Sequence, residues 1–200
     1  MPNRRQTLLD AAIQVLGERG IRALTHRAVD AEAGVAAGSA ANYFPTREAL
    51  LEAIVERVSA MERDRFDEVA AKVCPMTSAE LGRSVAGWVR EATGARRALT
   101  LSRYAILVEA GHNPRIRHQL AETGSRVNAW FANWLRLIGS VDTDHDVHVL
   151  GNYINGLTLD QLAIPDPGFD PADKITALLE SLVQSAGSPR GTDPARSSAW

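Results

Sequence analysis

The segment from Thr25 to Phe44 combines small and polar residues in the arrangement of a helix-turn-helix. Ala28 and Ala33 permit two helices to approach closely, and Gly34 permits the tight turn between them because it lacks a Cβ atom. Val35 then fills the angle between the two helices. In such a motif the helix after the turn enters the major groove of DNA, so this segment predicts DNA recognition.

The second helix of this motif has few side chains that can read bases. Ser39 and Asn42 are its obvious hydrogen-bonding groups, and a good bidentate contact to a base contributes about 1–3 kcal/mol. Direct readout is therefore thin, and DNA shape is expected to supply part of the specificity. The other positions there are alanines, which can touch thymine methyl groups: Ala36, Ala37, Ala40 and Ala41.

Large rings are concentrated in the C-terminal part of the chain, three of them within one predicted helix. Such rings often form plain core, and that alternative stays open. Their number nevertheless exceeds what a small helical core needs, which favours a cavity with apolar walls and a few polar groups for a small apolar or aromatic molecule. The candidate ligand-binding residues are Trp88, Tyr104, His112, Trp130, Phe131, Trp134, Asn152 and Asn155.

Asp144, His145, Asp146 and His148 form the one cluster that suggests a metal site. The same residues lie at a predicted helix start, where carboxylates interact favourably with free N–H groups and the helix dipole, and we favour that capping interpretation. The sequence contains no glycine-rich phosphate loop, nucleophile elbow or paired Cys/His set. We therefore predict no catalytic residue, no metal and no cofactor.

The elements that must position these residues are predicted to be helices throughout. Apolar residues recur at helical spacing, and no stretch alternates with period two between hairpin turns. Asn113 and Asp170 each precede a proline at a first helical position and predict two helix starts. The segment Pro165 to Pro171 is a connector. We predict about nine helices: 4–19, 25–33, a short one ending at 44, 46–73, 78–93, 97–111, 114–138, 143–163 and 171–186.

The N-terminal motif is similar to that of the TetR family of transcription regulators. The similarity covers about the first 60 residues, whereas the C-terminal part of that family is divergent. The matching residues, in order and spacing, are Thr25, Val29, Ala33-Gly34-Val35, Gly38, Ser39, Tyr43-Phe44 and Arg47-Glu48-Ala49-Leu50.

This resemblance implies an all-α chain with a three-helix DNA-binding domain over residues 1–47 and a helical ligand-binding and dimerisation domain over residues 48–186. Residues 187–200 are expected to be a disordered tail, because they are rich in Gly, Ser, Pro and Arg. Asp30 stands where the family usually has alanine, so we expect it to face solvent or to pair with Arg27.

The resemblance also implies roles for individual residues in DNA binding. Tyr43 and Arg47 are expected to contact phosphates, and a helix N-terminus such as that at Arg47 suits an anion. Ordinary surface charge is the alternative for Arg27 and Arg47. The candidate DNA-binding residues are Thr25, His26, Arg27, Ala37, Ser39, Ala40, Asn42, Tyr43 and Arg47.

The last two helices are apolar over much of their circumference, which suggests a partner surface. In the family the corresponding helices meet their symmetry mates as a four-helix bundle, and a two-fold dimer lets two heads reach successive major grooves about 34 Å apart. An intramolecular core is the alternative. The candidate dimer residues are Leu150, Ile154, Leu157, Ile175, Leu178, Leu179 and Leu182.

Composition sets the broad class of the protein. The 200 residues carry a net charge of −2, divided into +2 for residues 1–47 and −4 for the remainder, as expected for a DNA-contacting head on a body that does not contact DNA. The single Cys74 excludes an internal disulfide, so we expect a cytoplasmic protein. The longest uncharged run, Val147 to Leu159, is shorter than the roughly 20 residues that span a membrane.

These features predict a homodimeric repressor that a small apolar or aromatic molecule releases from a palindromic DNA operator. Two alternatives remain: a helical sensor with weak or non-specific DNA binding, and an activator in place of a repressor. A repressor and an activator differ in where the operator lies relative to a promoter, which is a property of the DNA and not of the amino-acid sequence.

Overall fold

The computed structural model describes residues 3–70 and 77–184, and every regular element within these two ranges is helical. The all-α prediction is therefore confirmed. The α-helices are α1 (Arg4–Arg19), α2 (His26–Glu32), α3 (Ser39–Tyr43), α4 (Arg47–Ala70), α5 (Ser78–Thr93), α6 (Arg97–Ala110), α7 (Pro114–Leu137), α8 (Thr143–Ala163) and α9 (Ala172–Gln184).

Local capping explains most of these boundaries. Asn3 and Gln6 form a reciprocal capping box at the start of α1. The Thr25 hydroxyl accepts a hydrogen bond from the Ala28 N–H at the start of α2. The Asn113 carboxamide likewise accepts from the N–H groups of the first turn of α7. A single 3-10 turn over Ile21–Ala23 links α1 to α2 and was not predicted from the sequence.

Three predictions fall partly or wholly outside the described residues. The fourth helix was predicted to reach residue 73, and its description ends at Ala70. The predicted disordered tail, residues 187–200, and Cys74 lie outside the described ranges altogether. The connector between the last two helices is confirmed, with α9 beginning at Ala172 immediately after Pro171.

A first core joins the N-terminal head to the body. Apolar side chains of α1 and α4 meet Val29 of α2 and Ala40 of α3, all fully or almost fully buried. Ile106 of α6 and Ile116 of α7 belong to the same core, and α6 packs more extensively against α1 than against any other helix. The head is therefore built directly onto two helices of the body, α4 and α6.

A second core lies within the body, between α5, α7, α8 and α9. It contains four of the residues predicted to form the dimer contact, Leu150, Ile154, Ile175 and Leu179, each at most 4% exposed within one chain. For these four the dimer prediction is wrong, because side chains already buried against their own chain cannot meet another. The intramolecular alternative is correct for them.

Candidate DNA-reading head and ligand cavity

The turn between α2 and α3 has the conformation that the small residues predict. Gly34 has a φ of 63° and Gly38 a φ of 89°, both in the left-handed region that side chains with a Cβ atom avoid. Val29 is fully buried beneath the turn, and Val35 packs against the first core. The helix-turn-helix is therefore confirmed, with α3 as its recognition helix.

The recognition helix presents only part of the predicted set to solvent. Asn42 and Tyr43 of α3 are exposed, and Tyr43 keeps 46% of its surface accessible. Ala37 is exposed as well, but it lies in the turn before α3 and not in the helix as predicted. Ala40 is completely buried in the first core, so its predicted contact with DNA is wrong. The helical period turns Ala40 inward, opposite to Asn42.

Ser39 is half-buried at the first position of α3. Its hydroxyl donates to the Ala36 carbonyl at 2.6 Å, so only its oxygen lone pairs remain for a base. We therefore expect Ser39 to accept hydrogen bonds from exocyclic amino groups and not to donate to carbonyl or ring-nitrogen acceptors.

Asp30 occupies a position that neither sequence expectation described. Its side chain is buried, with only 3% of its surface exposed, and does not pair with Arg27. Instead Oδ2 accepts a hydrogen bond from the Gly38 N–H and Oδ1 accepts from the Ala40 N–H, each at 2.7 Å. The carboxylate thus caps the recognition helix from the preceding helix.

Arg47 begins α4, as predicted, but its guanidinium is engaged within the head. Nη1 donates to the Leu24 carbonyl at 2.6 Å and Nη2 donates to the Ile21 carbonyl at 2.8 Å. The residue remains exposed, and a guanidinium has five N–H donors. A phosphate contact by Arg47 stays a prediction, now beside an observed role in holding the 3-10 turn against α4.

The remaining residues predicted to contact DNA lie around the start of α2. Thr25 and Arg27 are exposed, and Arg27 forms no ion pair within the described ranges. His26 is half-buried, and its Nε2 lies 2.6 Å from the Phe44 carbonyl oxygen. Because a carbonyl only accepts, this ring nitrogen carries a proton and donates, so the Nε2–H of His26 is not available to DNA.

A cavity of about 250 Å³ lies inside the body. Its walls come from α4, α5, α6, α7 and α8, and they are mainly apolar. Phe66 is central to the aromatic side of the wall, with ring centroids 5.8 Å from Trp88, 5.5 Å from Trp130 and 5.6 Å from Phe131. The apolar and aromatic lining with a few polar groups is typical of a small-molecule site, although the volume is slightly below the roughly 300–1,000 Å³ usual for such pockets.

Polar side chains in the cavity wall link three helices to one another. Glu62 of α4 places Oε1 3.4 Å from Nε of Arg103 of α6, and Arg103 donates from Nη2 to Oδ1 of Asn155 of α8 at 2.5 Å. The Tyr104 hydroxyl donates to the Asn155 backbone carbonyl at 2.9 Å. One partly buried network therefore connects α4, α6 and α8.

Glu62 is the acidic group of this network. Burial raises the pKa of its carboxyl above the ordinary value, and the guanidinium groups of Arg103 and Arg96 offset only part of that increase. About 24% of the side chain is exposed, and it lines the cavity. Glu62 thus offers a ligand a poorly solvated carboxyl group.

The structure brings together only some of the predicted ligand-binding residues. Trp88, Phe131 and Asn155 line the cavity, and Trp130 lies on a neighbouring groove beside Phe66. Four other candidates do not line this cavity, and ligand contact by them stays a prediction. His112 and Asn152 are exposed, the Tyr104 hydroxyl donates to the Asn155 backbone carbonyl, and the Trp134 ring contacts that of Phe131.

Glu62, Phe66 and Arg103 line the cavity and were not singled out from the sequence. Their spacing along the chain carries no motif. The available signal was a carboxylate at Glu62 between apolar positions of a helix, four residues before the aromatic Phe66.

The acidic residues at the start of α8 form local hydrogen bonds. Ser140 donates to Asp146 at 2.7 Å and Asp142 accepts from the His145 N–H at 3.4 Å, and no set of three potential metal ligands occurs in the described part of the chain. Of the helices described, none has the length and apolar character needed to cross a bilayer.

A helix-turn-helix built onto a helical body with an apolar cavity defines a transcription regulator in which one chain contacts DNA and binds a ligand. Two family models match the chain: one described as "Bacterial regulatory proteins, tetR family" over residues 8–54, and one described as "Tetracyclin repressor-like, C-terminal domain" over residues 76–185. The chain belongs to the TetR family. It is accordingly a DNA-binding regulator and not an enzyme.

Curated relatives match part of the chain. The HTH-type transcriptional regulator BetI of Rhizobium meliloti (strain 1021) is 38% identical over 79 residues, which are 40% of this chain and 38% of BetI. The match therefore spans well under half of the length of that relative.

Solved structures match over almost the whole chain. The multidrug binding protein EbrR complexed with ethidium is 27% identical with a TM-score of 0.66, covering 90% of this chain and 99% of EbrR. EbrR complexed with proflavin is 28% identical, with a TM-score of 0.62, over 90% of this chain and all of EbrR (100%). A transcriptional regulator from Rhodococcus sp. Rha1, 19% identical with a TM-score of 0.76 over 92% of this chain and 98% of its own, shares the fold.

Proposed function

We propose that this chain is a repressor that binds a palindromic operator as a homodimer and releases it when a small aromatic or apolar molecule enters the cavity. The supporting observation is that α4 and α6 wall the cavity and also pack against α1 of the head. A ligand that prefers one arrangement of these helices shifts the equilibrium between DNA-binding and released states. This activity requires access to DNA, so we place it in the cytoplasm.

The dimer is supported by apolar side chains that one chain leaves uncovered on its last helices. Leu157, Leu178 and Leu182 are only partly buried. At the end of α8, Leu159 is 47% exposed and Ile164 is 81% exposed. A two-fold contact through this face would bury these groups and pair the two heads. Sedimentation equilibrium at micromolar protein tests the dimer directly, and a mass of one chain would contradict it.

Aromatic cations are the first ligand class to test. The rings of Phe66, Trp88 and Phe131 provide surfaces for an aromatic group, and the Glu62 carboxylate can neutralise a positive charge. The similar protein EbrR forms complexes with ethidium and proflavin, and both dyes are planar aromatic cations. A cation would compete with Arg103 for Glu62, and Arg103 belongs to α6, which contacts the head.

Operator binding is tested by selecting duplexes from a randomised DNA pool and footprinting the recovered sequence. The proposal expects an enriched palindrome protected on both half-sites. The sensor alternative instead expects sequence-independent binding that weakens strongly with salt, and that result would contradict the proposed repressor. Placing the recovered operator over or upstream of a reporter promoter then distinguishes repression from activation.

Replacing Glu62 by glutamine is expected to weaken ethidium binding at least tenfold near neutral pH. Binding of a cation favours the ionised carboxyl, so it releases a proton whenever Glu62 is protonated in the free protein. Because burial raises the pKa of Glu62, wild-type affinity should rise with pH up to that raised pKa, by at most about tenfold per pH unit, and then level off. The E62Q profile should be flat over the same range.

Titration calorimetry with protein and dye alone measures these affinities. Glu56→Gln is the matched control, since Glu56 is an exposed residue of the same helix outside the cavity. Release of the protein from DNA by ethidium is measured separately. Because ethidium also binds DNA directly, this measurement compares wild type with E62Q on identical DNA. If wild type and E62Q bound ethidium with equal affinity and equal pH dependence, a role for Glu62 would be contradicted.

Replacing Arg47 by alanine is expected to weaken binding to all DNA sequences alike and to lower the slope of log affinity against log salt by about one. Replacing Asn42 by alanine should instead change the preferred sequence and leave that slope intact. Fluorescence anisotropy over a salt series measures both. Arg47→Lys separates the two roles of Arg47: it keeps the charge for a phosphate but cannot reproduce the two-carbonyl contact of the guanidinium.

A further inference from the structure

The recognition helix α3 lacks the internal means to hold its own position. It has five residues, far fewer than an isolated helix needs to be stable in water. Its N-cap is Gly38, which has no side chain to bond the free N–H groups of the first turn. Whatever fixes the orientation of α3 therefore comes from other elements.

Asp30 of α2 fixes the N-terminal end. Both of its carboxylate oxygens are used, one by the Gly38 N–H and one by the Ala40 N–H, at 2.7 Å each. Asp30 is 3% exposed and Ala40 is fully buried, so water cannot replace the bond to the Ala40 N–H. A negative charge at the start of a helix is also favourable for the helix dipole, and hydrogen bonds to an ionised acceptor are stronger than neutral ones.

His26 of the same helix fixes the C-terminal end. Its Nε2 donates to the carbonyl of Phe44, the residue that caps α3. His26 and Asp30 are four residues apart and so lie on one face of α2. A single helix thus holds both ends of the recognition helix through two polar side chains.

We propose that Asp30 and His26 are positioning residues for DNA recognition, and that sequence discrimination depends on them although they contact backbone groups of the head and not DNA. The inference rests on the proposed operator binding. It replaces the direct DNA contact expected for His26 by an indirect role. Base contacts demand that Asn42 and its neighbours reach base edges accurately, whereas phosphate contacts tolerate small rotations of α3.

The test compares Asp30→Ala, Asp30→Asn and His26→Ala with wild type on two probes: the duplex recovered by selection and sonicated calf thymus DNA. Asp30→Ala is expected to weaken binding to the selected duplex at least tenfold, with less than a threefold change on calf thymus DNA and an unchanged salt slope. Asp30→Asn keeps one acceptor oxygen and should recover part of the loss. His26→Ala should show a smaller loss of the same kind.

Glu32→Gln is the matched control, because it removes one negative charge from α2 without touching α3; Glu32 pairs with Arg19. A parallel loss on both probes with a reduced salt slope in Asp30→Ala would overturn the proposal, since it would indicate a phosphate or charge effect. Wild-type affinity for the selected duplex in Asp30→Ala would overturn it as well. If Asp30→Ala unfolds the head, Asp30→Asn decides between the same outcomes.

Amide hydrogen exchange gives a readout that needs no DNA. Asp30→Ala should increase exchange at Gly38 and Ala40 at least tenfold while exchange in α5 and α9 is unchanged, and equal protection in wild type and variant would overturn the proposed positioning role. Failure of the selection to enrich any sequence would instead reject the proposed repressor, and the exchange data would still decide whether Asp30 holds α3.

Discussion

Replacing Phe66 by alanine is expected to lower the free energy of unfolding by about 3–5 kcal/mol. The Phe66 side chain is 9% exposed and its ring contacts the rings of Trp88, Trp130 and Phe131 at centroid distances of 5.5–5.8 Å. The variant loses the apolar area of the ring and leaves a void among three large side chains. It also removes two edge-to-face contacts, with Trp130 and Phe131, worth about 0.5–1.5 kcal/mol each. Urea denaturation followed by circular dichroism measures the loss.

The same substitution should change which ligands fit. Phe66 lines both the main cavity and a groove of about 130 Å³ beside Trp130, so its removal joins the two spaces. We expect larger aromatic ligands to gain affinity relative to smaller ones, measured by calorimetry. Phe66→Leu is the control, since it keeps an apolar wall and should retain most of the stability. A stability loss below about 1 kcal/mol in Phe66→Ala would contradict the assigned packing.

Replacing Gly17 by alanine is expected to destabilise the protein although alanine favours helices. A Cβ atom at Gly17 of α1 would lie 2.0 Å from the backbone carbonyl oxygen of Ala98, in the first turn of α6. Because the obstacle is backbone, α1 and α6 must separate by about 1.4 Å to restore an ordinary contact of 3.4 Å, and such overpacking costs about 1–3 kcal/mol. Thermal unfolding measures the difference.

Gly87→Ala is the matched control. Gly87 lies within α5, and a Cβ atom there meets nothing within 4 Å, so helix propensity alone predicts a gain of about 0.5–1 kcal/mol. An equal gain in Gly17→Ala would contradict the close approach of the two helices. The contact also bears on regulation, because α6 supplies Arg103 to the cavity and presses Ala98 against the head.

Two helices connect the ligand cavity to the DNA-binding head and could carry the effect of ligand binding between them. α4 runs from the first core, which it shares with the head, to the cavity wall and is one such route. α6 is a second such helix, because it carries cavity-lining residues such as Arg103 and Ile106 and also packs along α1. We therefore expect ligand binding to act on the head through both helices.

The sequence by itself determined the helices and the helix-turn-helix. Asn3, Thr25 and Asn113 cap helices through bonds to N–H groups two or three residues ahead, and the apolar face of α1 repeats within single turns. These interactions are local, so residue type and spacing are sufficient to predict them. Gly34 is equally local, because its left-handed φ depends on its own lack of a Cβ atom.

Only the tertiary structure decided which side chains meet across helices. Asp30 reaches the Gly38 and Ala40 N–H groups, Arg47 reaches carbonyls more than 20 residues before it, and Glu62 meets Arg103 across two helices. The packing of α8 and α9 against α5 and α7 likewise turned apolar residues predicted for a partner into the core of one chain. These outcomes depend on the rotation and crossing of whole helices, which residues distant in sequence set jointly.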